Sequence, residues 1–151
     1  MISRGLNLAL ASGVMVLISA TAHGQQIVSD NDVGFVDGAT LTIKGKSFEL
    51  YAIKAPQLGS YCNPRLKKYD CGLISKSALM DMSVGATIVC SRAPAPYNTE
   101  KYKCLSDGYD LSEGMVYTGW AIPLETAPDL FKKLAHEAKE KPRGMWRISA
   151  Q

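Results

Sequence analysis

Four cysteines are the side chains whose type and spacing most restrict the chemistry of this 151-residue chain. Cys62, Cys71, Cys90 and Cys104 are nine, nineteen and fourteen positions apart, so none belongs to the closely spaced thiolate pair that is typical of a zinc site. A reactive thiol usually has a cationic or basic neighbour, and the nearest candidate histidine, His136, is distant in sequence. The spacing therefore favours disulfides over metal binding or thiol chemistry.

The histidine count and the net charge argue against two further classes of function. Only His23 and His136 occur, too few for a histidine-rich metal site. With 17 Lys and Arg against 14 Asp and Glu, the formal net charge is +3, which does not by itself indicate a nucleic-acid partner. The lysines at 132–141 are expected to form a solvated helix face, with an anionic polymer or phospholipid surface as the alternative interpretation.

The amino terminus has the pattern of a secretory signal. Arg4 precedes an apolar run at 6–18, and Ala20-Thr21-Ala22 offers the small residues that a signal peptidase accepts. We predict a signal peptide at 1–22, or alternatively at 1–24, followed by one domain at 25–151. An uncleaved membrane anchor is the other interpretation, but the run is shorter than the roughly 20 residues of a membrane-spanning helix. The sequence thus predicts a periplasmic or secreted protein with no transmembrane segment after cleavage.

If the chain is exported, its four cysteines are expected to form structural disulfides, because disulfides form and persist in oxidising compartments. Four cysteines allow three pairings. We favour Cys62 with Cys71 and Cys90 with Cys104, because each pair brackets a local excursion between elements that are expected to be neighbours. Each bridge is expected to stabilise the domain by about 2–4 kcal/mol.

The elements that must position any site are predicted from turn residues and apolar periodicity. Asp-Gly and Lys-Gly pairs separate short β-rich runs, and apolar residues recur at helical spacing further on. In the third strand we expect Phe48 and Leu50 to face inward and Glu49 and Tyr51 outward; Thr126 and Asp129 resemble a capping box. The predicted strands are 33–36, 39–44, 47–53, 86–91 and 101–106, and the predicted helices are 72–83, 111–118 and 127–141. This order predicts an α+β fold, a five-stranded OB-type β-barrel with about three helices.

Six short motifs also occur in a characteristic order along residues 33–147. They are DGAT (37–40), FELYAIKAPQLG (48–59), DCG (70–72), VGATIVC (84–90), CLSDGYDLSEGMVYTGWA (104–121) and PRGMW (142–146). Together they resemble staphylococcal-nuclease-like (thermonuclease-like) domains, especially the exported, cysteine-containing ones of bacteria. The resemblance implies a calcium-dependent phosphodiesterase ancestry. In active members an Asp-Gly-Asp-Thr turn and an Asp-x-Pro-Glu segment hold the ion and activate water, while two arginines stabilise the developing negative charge.

This sequence departs from that pattern at five positions. Asp37 and Thr40 remain in the turn, but Ala39 replaces its second carboxylate. Lys54 and Gln57 stand where the resemblance implies a liganding acid and a general base. The two positions at which the resemblance implies arginines hold other residues, Glu49 and Thr99. We also expect Glu49 and Lys54 to form an ion pair across the former cleft.

The substitutions predict that the family chemistry is lost. Calcium requires about six to eight oxygen ligands, and a lysine ammonium repels it. Without the ion, the base and the arginines, neither the nucleophile nor the developing charge is stabilised. We therefore expect no intact catalytic residue, no metal and no cofactor, including calcium.

The resulting hypothesis is a catalytically inactive, exported nuclease-like domain that acts as a binding or accessory module in the cell envelope. Its ligand is expected to be an envelope protein or polysaccharide, with nucleic acid a weaker candidate, because OB barrels bind several polymer classes. Two alternatives stay open from the sequence. One is an active secreted phosphodiesterase with a rearranged site, and the other is a disulfide-bonded structural subunit of an envelope assembly.

Overall fold

The computed structural model describes residues 32–63, 68–97 and 100–149; the predicted signal peptide and Thr99 lie outside them. In chain order the elements are β1 (Val33–Asp37), β2 (Thr40–Ile43), β3 (Lys46–Glu49), β4 (Ile53–Lys54), α1 (Cys71–Asp81), β5 (Ile88–Arg92), β6 (Tyr102–Ser106), β7 (Tyr109–Asp110), α2 (Leu111–Tyr117), β8 (Ile122–Pro123), α3 (Asp129–Glu140) and α4 (Met145–Ser149). The predicted α+β class is confirmed.

The first three strands form an antiparallel meander that follows from the sequence pattern. Leu41 and Ile43 of β2 are fully buried and alternate with half-buried threonines, as the period of two in a half-buried strand requires. The predicted Lys44-Gly45 turn connects β2 to β3, with both residues at positive φ (50° and 74°). The meander therefore places one continuous apolar face against the core.

The third predicted strand, 47–53, is interrupted in the structure. Strand β3 ends at Glu49, Ala52 adopts a φ of 60°, and the chain resumes as β4, which pairs with β8 instead of continuing the meander. Because β3 ends at Glu49, Tyr51 lies in the turn that follows, where the two-residue alternation of a strand no longer applies. Tyr51 is buried, at 5% exposure, so the prediction that it faces outward is wrong.

A second antiparallel sheet, in the order β5-β6-β7, lies next to the meander. Leu50 and Tyr102 form a parallel bridge between the two sheets, and the Tyr51 N–H donates to the Tyr102 carbonyl at 3.0 Å. The rings of Phe48 and Tyr102 pack edge to face at 4.9 Å. Within the described residues the strands form three small antiparallel sheets that are not closed into a barrel by strand pairing.

Both predicted cysteine pairs are joined in the structure. Cys90 and Cys104 are directly opposite each other on β5 and β6, with 4.0 Å between their Cα atoms, and both are fully buried. Cys62 and Cys71, whose Cα atoms are 5.2 Å apart, tie the loop before α1 to the first residue of that helix. The disulfides thus fix one strand pair and one helix start.

Helices α1 and α2 each begin at an aspartate cap, which the sequence analysis does not predict. Asp70 accepts a hydrogen bond from the Leu73 N–H at 2.9 Å and begins α1, while Asp110 accepts from the Ser112 N–H at 2.9 Å and begins α2. Helix α3 begins after Pro128 without a side-chain cap, so the capping box predicted from Thr126 and Asp129 is not formed. The predicted helix bounds otherwise hold to within two residues.

The last helix, α4, was not predicted, because five residues after Pro142 contain too little periodicity to indicate one. Its approach to α2 depends on two glycines: a side chain at Gly144 would collide with the carbonyls of Gly119 and Thr118. The Met145 N–H donates to the Gly119 carbonyl at 3.0 Å and closes the contact. No helix within the described ranges has the length and apolar character that a membrane crossing needs.

Candidate functional site

The turn that carries Asp37 is held by its own backbone. Asp37 Oδ1 accepts a hydrogen bond from the Ala39 N–H at 2.8 Å, the local bond that makes Asp a turn former. Ala39 is only 8% exposed, and its carbonyl accepts from the Leu50 N–H at 2.7 Å. Thr40 lies directly opposite Glu49 on the neighbouring strand. The turn is therefore ordered by the Asp37 side chain and by main-chain hydrogen bonds to the neighbouring strand.

The structure brings this turn against the second segment of the predicted site. A side chain at Gly38 would meet Ala55 at 3.0 Å and would collide with Ser75 of α1. Only glycine permits so close an approach, so the three elements meet at one place. The two segments to which the resemblance assigns the site are thus neighbours in space at Gly38 and Ala55, although Thr40 and Lys54 are 14 positions apart in the chain.

The second segment lines an open cleft of about 320 Å³. Lys54 is exposed on β4, opposite Ile122 of β8, and Gln57 follows two residues after Ala55. The cleft is lined by Lys54, Ala55, Pro56, Gln57, Ser60, Ile122 and Met145. We call this the Lys54 cleft.

The main chain of the cleft is anchored to α1. The Gln57 carbonyl accepts hydrogen bonds from the Ser60 N–H at 3.0 Å and from the Ser60 hydroxyl. Gly72 packs directly on the Gln57 carbonyl, and the Asp70 carboxylate accepts from the Gly59 N–H at 3.1 Å. The same aspartate that caps α1 therefore also fixes the loop on which Gln57 lies.

Glu49 forms an ion pair with Lys101, so the predicted pair between Glu49 and Lys54 is wrong. The parallel bridge between Leu50 and Tyr102 brings the end of β3 beside Lys101, whereas the turn at Ala52 directs Lys54 toward β8. None of the ion pairs found in the described parts of the chain includes Lys54. Among the described residues, the Lys54 ammonium therefore has no carboxylate within ion-pair distance.

The donor set does not fit calcium. Of the positions that the resemblance implies as ligands, only Asp37 retains a carboxylate, and it is engaged in its own turn. Residues 32–63, 68–97 and 100–149 contain no group of three His, Cys, Asp or Glu side chains placed to hold a metal ion. Calcium needs about six to eight oxygens, most of its binding energy coming from carboxylates. No catalytic step through a metal can be derived for this site.

Sequence reasoning missed a second polar cluster, formed around Tyr51. The Tyr51 hydroxyl donates to Asp110 Oδ2 at 2.8 Å, and Lys103 Nζ lies 3.6 Å from the same oxygen. The rings of Tyr97 and Phe131 enclose Tyr51 at 5.9 and 5.6 Å. The pKa of Tyr51 is raised above its usual value. Burial is the largest cause, and the nearby negative charge of Asp110 is the next. An aspartate just before a helical pattern was the available signal, but its long-range partner was not visible in the sequence.

Comparison with known proteins gives no match: no protein-family model fits the sequence, and no curated protein is significantly similar to it.

Proposed function

We propose that this chain is an exported, catalytically inactive staphylococcal-nuclease-like domain that acts as a binding or accessory module in the cell envelope. The observation that carries the proposal is the composition of the Lys54 cleft together with that of the neighbouring turn at 37–40. Where an active relative is expected to gather carboxylates, the chain places a buried methyl group at Ala39, an exposed ammonium at Lys54 and a neutral amide at Gln57.

Strand connectivity supports the OB-type architecture behind this proposal. The meander β1-β2-β3 continues through the parallel bridge between Leu50 and Tyr102 to β6, which pairs with β5. The spatial order is therefore β1-β2-β3-β6-β5, which supports an OB-type arrangement of five strands. OB barrels of this kind are partly open and bind oligonucleotides or oligosaccharides on one face.

Electrostatics support the loss of catalysis. An ammonium a few ångströms from a cation in a partly solvated site is repelled by about 1–4 kcal/mol before any desolvation. Without a bound ion or an acidic base, water at neutral pH is a poor nucleophile. Glu49 stands where the resemblance implies an arginine, and it forms an ion pair with Lys101. This position therefore supplies no cation to stabilise the negative charge of a phosphorane-like transition state.

Two structural features support export and a binding role. The two disulfides, one of them fully buried between β5 and β6, suit an oxidising compartment. The Lys54 cleft is open, its cation has no carboxylate partner among the described ion pairs, and its floor includes apolar Ile122 and Met145. A cleft with a free cation beside apolar surface suits binding better than metal-assisted hydrolysis.

The test is cleavage of nucleic acid by the oxidised, signal-free chain. It is incubated with single-stranded DNA and RNA in calcium, in other divalent ions and in chelator, and products are resolved by gel electrophoresis. We expect no cleavage in any condition. Metal-stimulated cleavage that disappears in Asp37→Ala but persists in the matched variant Asp81→Ala, an exposed aspartate at the end of α1, would establish a rearranged nuclease and overturn the proposal.

A further inference from the structure

Two adjoining cavities lie along α2, on a surface that the Lys54 cleft does not share. The first, of about 410 Å³, and the second, of about 380 Å³, have Tyr117 and Thr118 in common. Because both cavities include the same ring, a ligand longer than a single side chain would occupy them together. We call this pair of cavities the α2 groove.

The lining of the first cavity of the α2 groove includes apolar and aromatic side chains. Met82, Ala86 and Leu111 are the apolar ones, and Tyr109 and Tyr117 are the aromatic ones. Tyr109 is 82% exposed and Tyr117 is 50% exposed, although both are large aromatic residues. Exposed aromatic rings around an apolar depression are typical of a binding surface rather than of a core.

The second cavity contains a fixed arginine with unused donors. The guanidinium of Arg143 stacks over the Tyr117 ring at 4.1 Å, and its backbone N–H donates to the Ala138 carbonyl at 3.0 Å. Within the described part of the chain its Nε and Nη1 are buried without a hydrogen-bond partner. Its Nη2 forms an ion pair with Glu137 at 3.8 Å, a distance too long for a hydrogen bond.

Arg147 lines the same cavity, so two arginines contribute to one space. The close contact of Gly119 with Gly144 holds the chain segment that carries Arg143 in place. A planar carboxylate offers two acceptors that match the fork of an arginine, and a small rotation of the Arg143 guanidinium would direct its free donors at such a group. The second cavity therefore suits a carboxylate.

The opposite end of the groove is negative. Asp107 is exposed, and its Oδ1 accepts a hydrogen bond from the Thr87 N–H at 2.9 Å, which fixes the carboxylate at the rim of the first cavity. A polyanion would be repelled at this end while it is attracted at the other. Opposite charges at the two ends, with apolar surface between them, complement a ligand that is itself dipolar.

We propose that the α2 groove binds the carboxyl-terminal segment of a partner protein. Its α-carboxylate pairs with Arg143 and Arg147, an apolar side chain close to the end fills the first cavity, and a basic side chain upstream approaches Asp107. Capture of a terminal carboxylate is a recurring mode of peptide recognition. The seven residues of α2 span about 10 Å. An extended peptide covers that distance in about three residues, which places the basic side chain three positions before the last residue.

Binding of short peptides, measured by titration calorimetry, tests the inference. The probes are N-acetylated hexapeptides with Lys three positions before a terminal Leu, Val, Phe or Tyr, each prepared as the free acid and as the amide. We expect at least one free acid to bind, and its amide to bind at least about tenfold more weakly because the charge-assisted bonds are lost.

Variants locate the site. Arg147→Ala is expected to weaken binding of the free-acid peptide by about tenfold and to leave binding of the amide unchanged. Tyr109→Ala is expected to weaken binding of both peptides. Lys133→Ala and Tyr61→Ala are the matched controls, because both side chains are exposed and neither lines the groove. All variants are first checked for an unchanged unfolding midpoint.

Three results would overturn the inference: no peptide of the panel binds, acid and amide bind equally, or Arg147→Ala and Lys133→Ala have the same effect. Single-stranded DNA that binds with the same dependence on Arg147 would also overturn it, by making the groove a general anion site. Lys54→Ala should leave peptide binding unchanged, because Lys54 lines neither cavity of the α2 groove. A negative result with the peptides would therefore leave the proposal for the Lys54 cleft unaffected.

Discussion

The phenolic oxygen of Tyr51 donates a hydrogen bond of 2.8 Å to Oδ2 of Asp110, 59 positions further along the chain. Asp110 also caps α2 through its other oxygen, so one carboxylate connects the turn after β3 to the first turn of a helix. Both side chains are largely buried, at 5% exposure for the Tyr51 residue and 8% for the Asp110 side chain. This bond joins the segment that leads into the Lys54 cleft to the helix that carries the α2 groove.

Replacing Tyr51 by Phe tests this connection through pH. Burial and the Asp110 charge raise the pKa of Tyr51 in the folded protein. Below about pH 10 the tyrosine is protonated in both states; above it the unfolded chain loses the proton and the folded chain retains it, so stability falls as the pH rises. Tyr51→Phe should lose about 1–2 kcal/mol at pH 7 and lack this alkaline fall. Urea unfolding at pH 7, 9, 10 and 11 measures the free energy of unfolding of both proteins, and the difference between them should narrow as the pH rises.

Tyr109→Phe is the control for that experiment, because Tyr109 is 82% exposed. Its stability should follow the unsubstituted protein at every pH. Parallel stability profiles for Tyr51→Phe and the unsubstituted protein, with a constant gap up to pH 11, would contradict the account of a buried tyrosine that resists ionisation.

The two disulfides are expected to differ in accessibility and in their effect on stability. Cys90 and Cys104 are both fully buried and close a loop of 14 residues, whereas Cys62 is partly exposed and its bridge spans nine. Removing the Cys90–Cys104 bridge with paired Ala substitutions should cost about 3 kcal/mol or more, since a buried cross-strand contact is also lost. Under mild reductant, Cys62 and Cys71 should be alkylated first, as followed by mass spectrometry. Simultaneous alkylation of all four thiols would contradict the difference in exposure.

Two helical glycines provide a matched pair for testing the packing behind the Lys54 cleft. Alanine favours a helix interior over glycine by about 1 kcal/mol, which applies to Gly114 in the middle of α2 and less to Gly72 in the first turn of α1. A side chain at Gly72 would collide with the Gln57 main chain, whereas one at Gly114 meets the flexible end of Met82, at 2.9 Å. Gly72→Ala should therefore destabilise the fold by about 1–3 kcal/mol and Gly114→Ala should be neutral or stabilising. Equal unfolding midpoints for the two variants would show that α1 does not pack tightly against the Gln57 main chain.

Local patterns were sufficient where the structure is determined by neighbours in sequence. The alternation at Thr40–Ile43 predicts the buried face of β2, and the cysteine spacing predicts both disulfides, because each depends on a short excursion of the chain. The two-residue strands β4 and β8 were not predicted, since a period of two cannot be recognised in two residues.

The candidate site was predictable in its composition and only partly in its geometry. The motifs name the residues at the turn and the cleft, and the contact between Gly38 and Ala55 brings the two segments together. The partner of Glu49 was mispredicted because Lys101 reaches it through a contact between two sheets, and inter-sheet contacts leave no periodic signal in the sequence. The burial of Tyr51 was mispredicted because β3 ends at Glu49 and Tyr51 lies in the turn that follows.

Restoring carboxylates to the cleft tests whether the charge reversal at Lys54 is what excludes calcium. The triple variant Ala39→Asp, Lys54→Asp and Gln57→Glu should be less stable than the unsubstituted chain without calcium, because position 39 is only 8% exposed and would hold an uncompensated charge. Calcium at about a hundredfold excess over its dissociation constant should then stabilise it by about 2.7 kcal/mol. For a domain of this size that is a rise in Tm of about 10 °C, measured by calorimetry.

The unsubstituted chain and a variant carrying Lys132→Asp, Lys133→Asp and Lys141→Glu, three exposed positions on or just after α3, serve as controls and should show no such rise. Adding Glu49→Arg and Thr99→Arg to the calcium-binding variant should then produce calcium-dependent cleavage of single-stranded DNA, because the resemblance implies arginines at both positions that stabilise the developing negative charge. A folded triple variant that gains no stability from calcium would mean that the two segments do not form one ion site. In that case the resemblance on which the inactive-nuclease proposal rests would be wrong at those positions.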